Sequence, residues 1–193
     1  DLEEAFALGR GAAVLADGTI RQVGTREEIL RDPANRRVAE FLGIVNIFAG
    51  EVAGVDAERG YLDIVSGGRR FVAPLREGIV RGQAIDFCIH ADRLRLNGEA
   101  RYGASGGYAR VNTRVIGSIS HRGGKSVYLQ IEGSRCSCRE YDLELQLPDT
   151  SPYVNLCRAG SPLEVTVPAS AVHVFEQQPS SSPREPSCDC SGK

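Results

Sequence analysis

The run Gly123-Gly124-Lys125-Ser126 has the residue types of a phosphate-gripping loop: glycines that let backbone amides approach, a lysine for the anion's charge, and a serine for magnesium. Its spacing does not fit that chemistry. The first glycine of a G-x-x-x-x-G-K-S loop would fall on Ser118, and no helical pattern follows Ser126, so the run reads as a turn between strands. The three histidines, His90, His121 and His173, are too widely spread for a metal triad and have no acidic or thiol cluster beside them. Cys136 and Cys138, and Cys188 and Cys190, form two C-x-C pairs, a far weaker metal signal than paired C-x-x-C motifs. Cys88 and Cys157 sit in apolar runs and read as small core residues. No catalytic residue and no metal site is predicted.

The elements that must position these residues fall into three zones. The first, residues 1–45, mixes helical and strand patterns. Leu2, Ala5, Phe6 and Gly9 share one face of a helix expected over Asp1 to Leu8 and ended by Gly9 and Gly11. Ala12 to Ala16 is an apolar strand, Asp17-Gly18 a two-residue hairpin turn, and Thr19 to Val23 the returning strand. Thr25-Arg26-Glu27-Glu28 is a capping box that opens a helix ending at Asp32-Pro33, and a second helix runs from Asn35 to Leu42. From Asn46 to Phe175 the hydrophobic period drops to two, with about nine short strands separated by turns, the pattern of a small barrel or sandwich. This zone divides into two similar lobes, 46–97 and 109–175, joined by a Gly-rich linker, 98–108. Residues 176–193 are nearly devoid of apolar content and are expected to be a disordered tail.

Composition bounds the function. With 23 Lys or Arg against 25 Asp or Glu, a net charge of −2, the chain lacks the basic excess of a nucleic-acid binder. There is no 18-residue apolar run, and the first residues do not have the charged, apolar, small order of a secretory signal. A chain of 193 residues buries a core without staples, so its six cysteines fit a reduced, cytoplasmic protein. It contains no methionine, even at position 1, and reads as a piece of a longer protein.

Four segments carry a family resemblance: Asp1-Leu2-Glu3-Glu4-Ala5, Val14-Leu15-Ala16-Asp17-Gly18, the run Gln22 to Ile29 (QVGTREEI), and the run Pro33 to Gly43 (PANRRVAEFLG). Together, and in this order, they resemble the ATP-binding subunits of ABC importers. Asn46 to Val52 is similar to the opening strand of the TOBE domain appended to such subunits, and Cys88 to Leu96 to a later strand, with His90 and Ala91 in place of the usual Arg-Pro. The resemblance implies a mainly β fold: OB-like (TOBE) barrel lobes preceded by the C-terminal α/β remnant of a nucleotide-binding domain. It also implies a parent protein that uses ATP and magnesium. The phosphate loop, the magnesium-binding Asp-Glu pair, the signature motif and the switch histidine of that family do not occur in these 193 residues, so the chain itself is expected to need no cofactor and not to hydrolyse ATP.

The second lobe most resembles the molybdate- and tungstate-associated members. Ala109 to Gly117 is similar to one strand of small oxyanion-binding modules, and Pro168-Ala169-Ser170-Ala171-Val172-His173-Val174 to their "Lys-Ala-Ser-x-Val-x-Val" end. Pro168 stands where those modules have lysine, and Val111 separates Arg110 from Asn112. Arg110, Asn112 and Ser170 are the candidate oxyanion ligands, with Arg122 and Lys125 as further sources of charge. A tetrahedral dianion needs many donors and one or two cations, which such residues supply. The resemblance implies a homodimer paired through the barrels, membrane permease partners, a place on the inner face of the cell membrane, and feedback by the transported oxyanion. Two alternatives stay open: a free-standing oxyanion-binding barrel, and the ATPase subunit of a sugar, polyamine, iron or sulfate importer whose barrel only dimerises.

Overall fold

Residues 11–96, 107–133 and 140–175 are described by a computed structural model. The expected helix over Asp1 to Leu8, nearly all of the linker, both C-x-C pairs and the tail lie outside the described residues.

The chain first makes a small α/β module. β1 (Ala12–Ala16) and β2 (Thr19–Gly24) pair antiparallel around Asp17 and Gly18, whose φ angles of 52° and 71° are those of a tight turn matched to strand twist. Helix α1 (Arg26–Arg31) starts at the predicted capping box: the Thr25 side chain accepts from the Glu28 amide, and the Glu28 carboxylate accepts from the Thr25 amide at 2.8 Å. That amide, together with the Thr25 hydroxyl, which donates to the same carboxylate at 3.0 Å, holds the Glu28 carboxyl below its ordinary value. Helix α2 (Arg36–Phe41) is capped by Asn35, whose Oδ1 accepts from the Val38 amide at 3.1 Å. Val14, Ile29 and Val38 form the small core that joins the hairpin to both helices.

Ten further strands build two five-stranded sheets. The first sheet has the order β12-β6-β3-β4-β5 and the second the order β10-β9-β8-β11-β7. β3 (Ile47–Asp56), β4 (Tyr61–Ser66), β5 (Arg69–Pro74) and β6 (Ala84–Ile89) come from the first lobe. β8 (Tyr108–His121), β9 (Gly124–Ile131), β10 (Leu143–Pro148) and β11 (Pro162–Pro168) come from the second. The two lobes match strand for strand, down to a bulge in β3 between Val52 and Gly54 and one in β8 between Val115 and Gly117.

The lobes exchange their last strands, which the division of the sequence does not convey. After β6, a single 3-10 turn (Ala91–Arg93) carries the chain across, and β7 (Arg95–Leu96) pairs with β11 of the second sheet. After β11, the turn Ala169–Ala171 carries it back, and β12 (Val172–Val174) pairs with β6 of the first. Each exchanged strand covers an edge that would otherwise expose unpaired amides and carbonyls. The exchange also fuses the two cores: Val52, Leu62, Phe71 and Phe87 of the first sheet share one apolar cluster with Val115, Leu129, Leu145 and Val165 of the second. Buried Asn46 ties the sheets by hydrogen bonds, donating to the Glu144 carbonyl at 2.8 Å and the Ile89 carbonyl at 3.2 Å and accepting from the Glu144 amide at 2.7 Å.

Candidate functional site

β8 alternates exposed and buried residues, so Arg110, Asn112 and Arg114 all face outward. Arg110 lies over the Tyr108 ring, 5.4 Å from its centroid, and its Nε is 4.0 Å from Glu164 Oε1 on the neighbouring β11. Asn112 is exposed, and its carbonyl accepts from the Glu132 amide at 2.9 Å. Ser170 is exposed in the 3-10 turn that follows β11. Because Pro168 pairs with Tyr108, that turn lies at the same end of β8 as Arg110. The Ser170 carbonyl accepts from Arg93 Nη1 at 2.9 Å, which adds a cation that sequence reading had not placed there.

Arg122 and Lys125 lie elsewhere. β8 and β9 form a hairpin in which His121 pairs with Gly124, so Arg122 and Gly123 are its tip. Gly123 has φ 95°, and Lys125, half-buried, donates to the Val154 carbonyl at 3.3 Å. The Gly-Gly-Lys-Ser run is thus a strand-connecting turn followed by a strand. Lys125 pairs with Ser120, ten residues along β8 from Arg110, a contour of roughly 30 Å. The five candidates therefore divide into one end of the second sheet (Arg110, Asn112, Ser170) and the hairpin tip (Arg122, Lys125).

A second constellation escaped sequence reading. It lies where the α/β module meets the first sheet, at the loop between α1 and α2. His90 Nε2 is 2.9 Å from the Arg31 carbonyl, and His173 Nε2 is 2.9 Å from the Pro33 carbonyl. Gln22 fills the positions between: it donates to the Asp32 carbonyl and accepts from the Ala34 amide, both at 2.9 Å. The loop backbone from Arg31 to Ala34 is thus held by three side chains distant in sequence. His173 Nδ1 faces Arg76 Nη2 at 3.4 Å and Asp32 Oδ1 at 3.2 Å. Burial, then the Arg76 charge, pushes the His173 imidazole down to about 4, and burial lowers His90 as well. Beneath them Ala39, Ile47, Cys88 and Phe175 form an apolar contact, in which burial raises the Cys88 thiol to about 12. A cleft of about 510 Å³ opens beside Arg76, Gln83, Ile85 and Phe175. The sequence signal for this junction was faint: His90 immediately precedes one crossing turn and His173 follows the other within two residues.

Among the described residues there is no group of three or more metal-ligating side chains, and no helix is long and apolar enough to cross a membrane.

With this geometry in place, comparison with known proteins identifies the chain's relatives. No family model matches it. It is 36% identical over 104 residues to a spermidine/putrescine import ATP-binding protein, PotA, of Pseudomonas fluorescens, which covers 54% of this chain and 28% of that protein. It is 39% identical over 84 residues to a sulfate/thiosulfate import ATP-binding protein, CysA, of Yersinia pseudotuberculosis, covering 42% of this chain and 21% of that one. The match therefore spans between about a fifth and little more than a quarter of the length of these curated relatives. Among solved structures, the cytoplasmic molybdate-binding protein ModG superposes with a TM-score of 0.56 at 16% identity, over 69% of this chain and 96% of that one. The chain is homologous over about half its length to ATP-binding subunits of ABC importers, and its β region has the OB-like fold.

Proposed function

We propose that this chain is the C-terminal regulatory part of an ABC importer's ATPase subunit, in which the barrel pairs two subunits and adjusts transport by binding the carried oxyanion, molybdate or tungstate. The observation that carries this reading is its joint likeness: importer ATP-binding proteins match about half of the sequence, while the β region folds like a molybdate-binding protein. Leu15, Ile20, Val23 and Phe41 leave more than half of their surface exposed on the α/β module. Such an apolar surface suits a module that packs against a larger ATPase core, and through it against permease subunits at the inner face of the membrane. Two barrels related by a two-fold axis would bring Arg110, Asn112, Ser170 and Arg93 of each chain toward one shared dianion. Feedback then requires the anion to bind the resting pair more tightly than the active one. The chain itself performs no ATP hydrolysis in this reading; ATP and magnesium belong to the parent's core.

The polyamine relatives favour a second reading, in which the solute is a cation and the barrel only pairs subunits. Titration calorimetry with molybdate, tungstate, sulfate and spermidine separates the two, alongside sedimentation for the dimer. Oxyanion binding that raises the melting temperature and is lost in Arg110→Ala supports feedback. Heat only with spermidine, or with none of the four, overturns it.

A further inference from the structure

His90 follows the first lobe's β6 and His173 lies 83 residues further on, in β12, yet they grip two carbonyls of one loop, those of Arg31 and Pro33. A carbonyl only accepts, so each Nε2 carries a hydrogen. On the other side of the His173 ring, the Arg76 guanidinium only donates, so Nδ1 meets it with a lone pair and the ring is neutral. Asp32 Oδ1, 3.2 Å from the same Nδ1, is a partner only for a protonated ring. Nδ1 thus stands between a cation that favours its neutral form and a carboxylate that favours its charged form. The cation prevails, because the ring is buried with only 7% of its surface exposed, whereas the Asp32 side chain is 65% exposed and its attraction is screened by water.

We propose that His90 and His173 form a proton-released latch: their neutral rings dock the α/β module on the barrel, and protonation lets the module separate while the barrel stays folded. The groups facing His173 are Arg76, Asp32 and His90, and those facing His90 are Arg93, Asp92 and Asp32. Both histidines titrate below their ordinary 6.5 when docked, chiefly through burial. Docking is therefore strongest above pH 6.5 and weakens as pH falls toward the docked value, because the undocked ring takes its proton first. For His173 alone, a docked value of about 4 against an ordinary 6.5 weakens docking roughly tenfold between pH 7 and pH 5.5. Among the described residues the module's own core is Val14, Ile29 and Val38 with Ala12 and Leu42 against it, whereas both sheets share one large core. Release at the latch therefore need not open the barrel. The latch does not depend on what the barrel binds.

Hydrogen exchange of the whole chain, read at pH 7.5, 6.5 and 5.5 after correction for intrinsic rates, tests this. Amides of residues 26–42 should lose at least about tenfold protection by pH 5.5, His90 adding to the His173 effect, while those of β3 and β6 do not change. The double variant His90→Gln/His173→Gln keeps a donor toward each carbonyl and should show no pH response. Arg76→Gln removes the cation that opposes protonation and should flatten the response, whereas Asp32→Asn should leave it at least as large, because a docked value of about 4 already gives His173 nearly its full response above pH 5.5. These two single variants carry the test if the double variant fails to fold. A response that is absent in the unaltered chain, or that moves the same way in both charge variants, overturns the latch.

Discussion

The α/β module and the barrel are built from equally regular local patterns but hold together by different means. In the barrel, Phe48 stacks on both Phe71 and Phe87, which meet each other tilted, with centroids 5.6 to 6.2 Å apart, within a core that both sheets share and that strand exchange closes. In the module, the core that the described residues form (Val14, Ile29 and Val38) is supplemented by helix caps and by side chains that reach in from the barrel. The difference is one of dependence: the barrel stands on its own burial, and the module leans on caps, on the barrel and, in our proposal, on a larger partner core.

Perturbations at the two places should therefore differ in reach as well as in size. Phe87→Ala empties the centre of the aromatic cluster and should cost about 3–5 kcal/mol, measured by urea unfolding followed by circular dichroism, since the chain has no tryptophan. Its effect should be global. Ile29→Ala removes the central contact of the module core, and about 2–4 kcal/mol should be lost there. Hydrogen exchange should rise in α1 and α2 and stay unchanged in β4 and β9; a rise in all of them would mean that the two regions unfold as one. Asn46→Ala strands a buried amide and two carbonyls between the sheets and should cost about 2–3 kcal/mol, lowering the melting temperature of both sheets together. Thr25→Ala breaks the capping box for about 1 kcal/mol, visible only as fraying of α1, and Thr25→Ser should restore most of it.

Much of the local structure could be read from the residues alone. The Asp17-Gly18 turn, the Thr25 capping box and the Asn35 start of α2 are stereochemical choices made within four residues, and the structure keeps all three. The alternation along β8 likewise set which of its side chains face out, Arg110 and Asn112 among them. The Gly-Gly-Lys-Ser run read as a strand-connecting turn by its spacing; Gly123 does close the hairpin, while Gly124, Lys125 and Ser126 already belong to β9.

What the sequence could not reveal is every relation that depends on which strand lies beside which. A two-residue strand such as Arg95–Leu96 carries no signal of its partner, because pairing is decided by the edge left open on the other sheet. The same holds for the distance between Arg110 and the hairpin tip, and for Arg93 meeting Ser170. It holds most of all for His90 and His173, 83 residues apart, which read as too widely spread to form a site until β12 paired with β6 and set both rings against one loop. Local stereochemistry determined the elements; burial of the two sheets against each other, a long-range and non-directional force, decided which polar groups ended face to face.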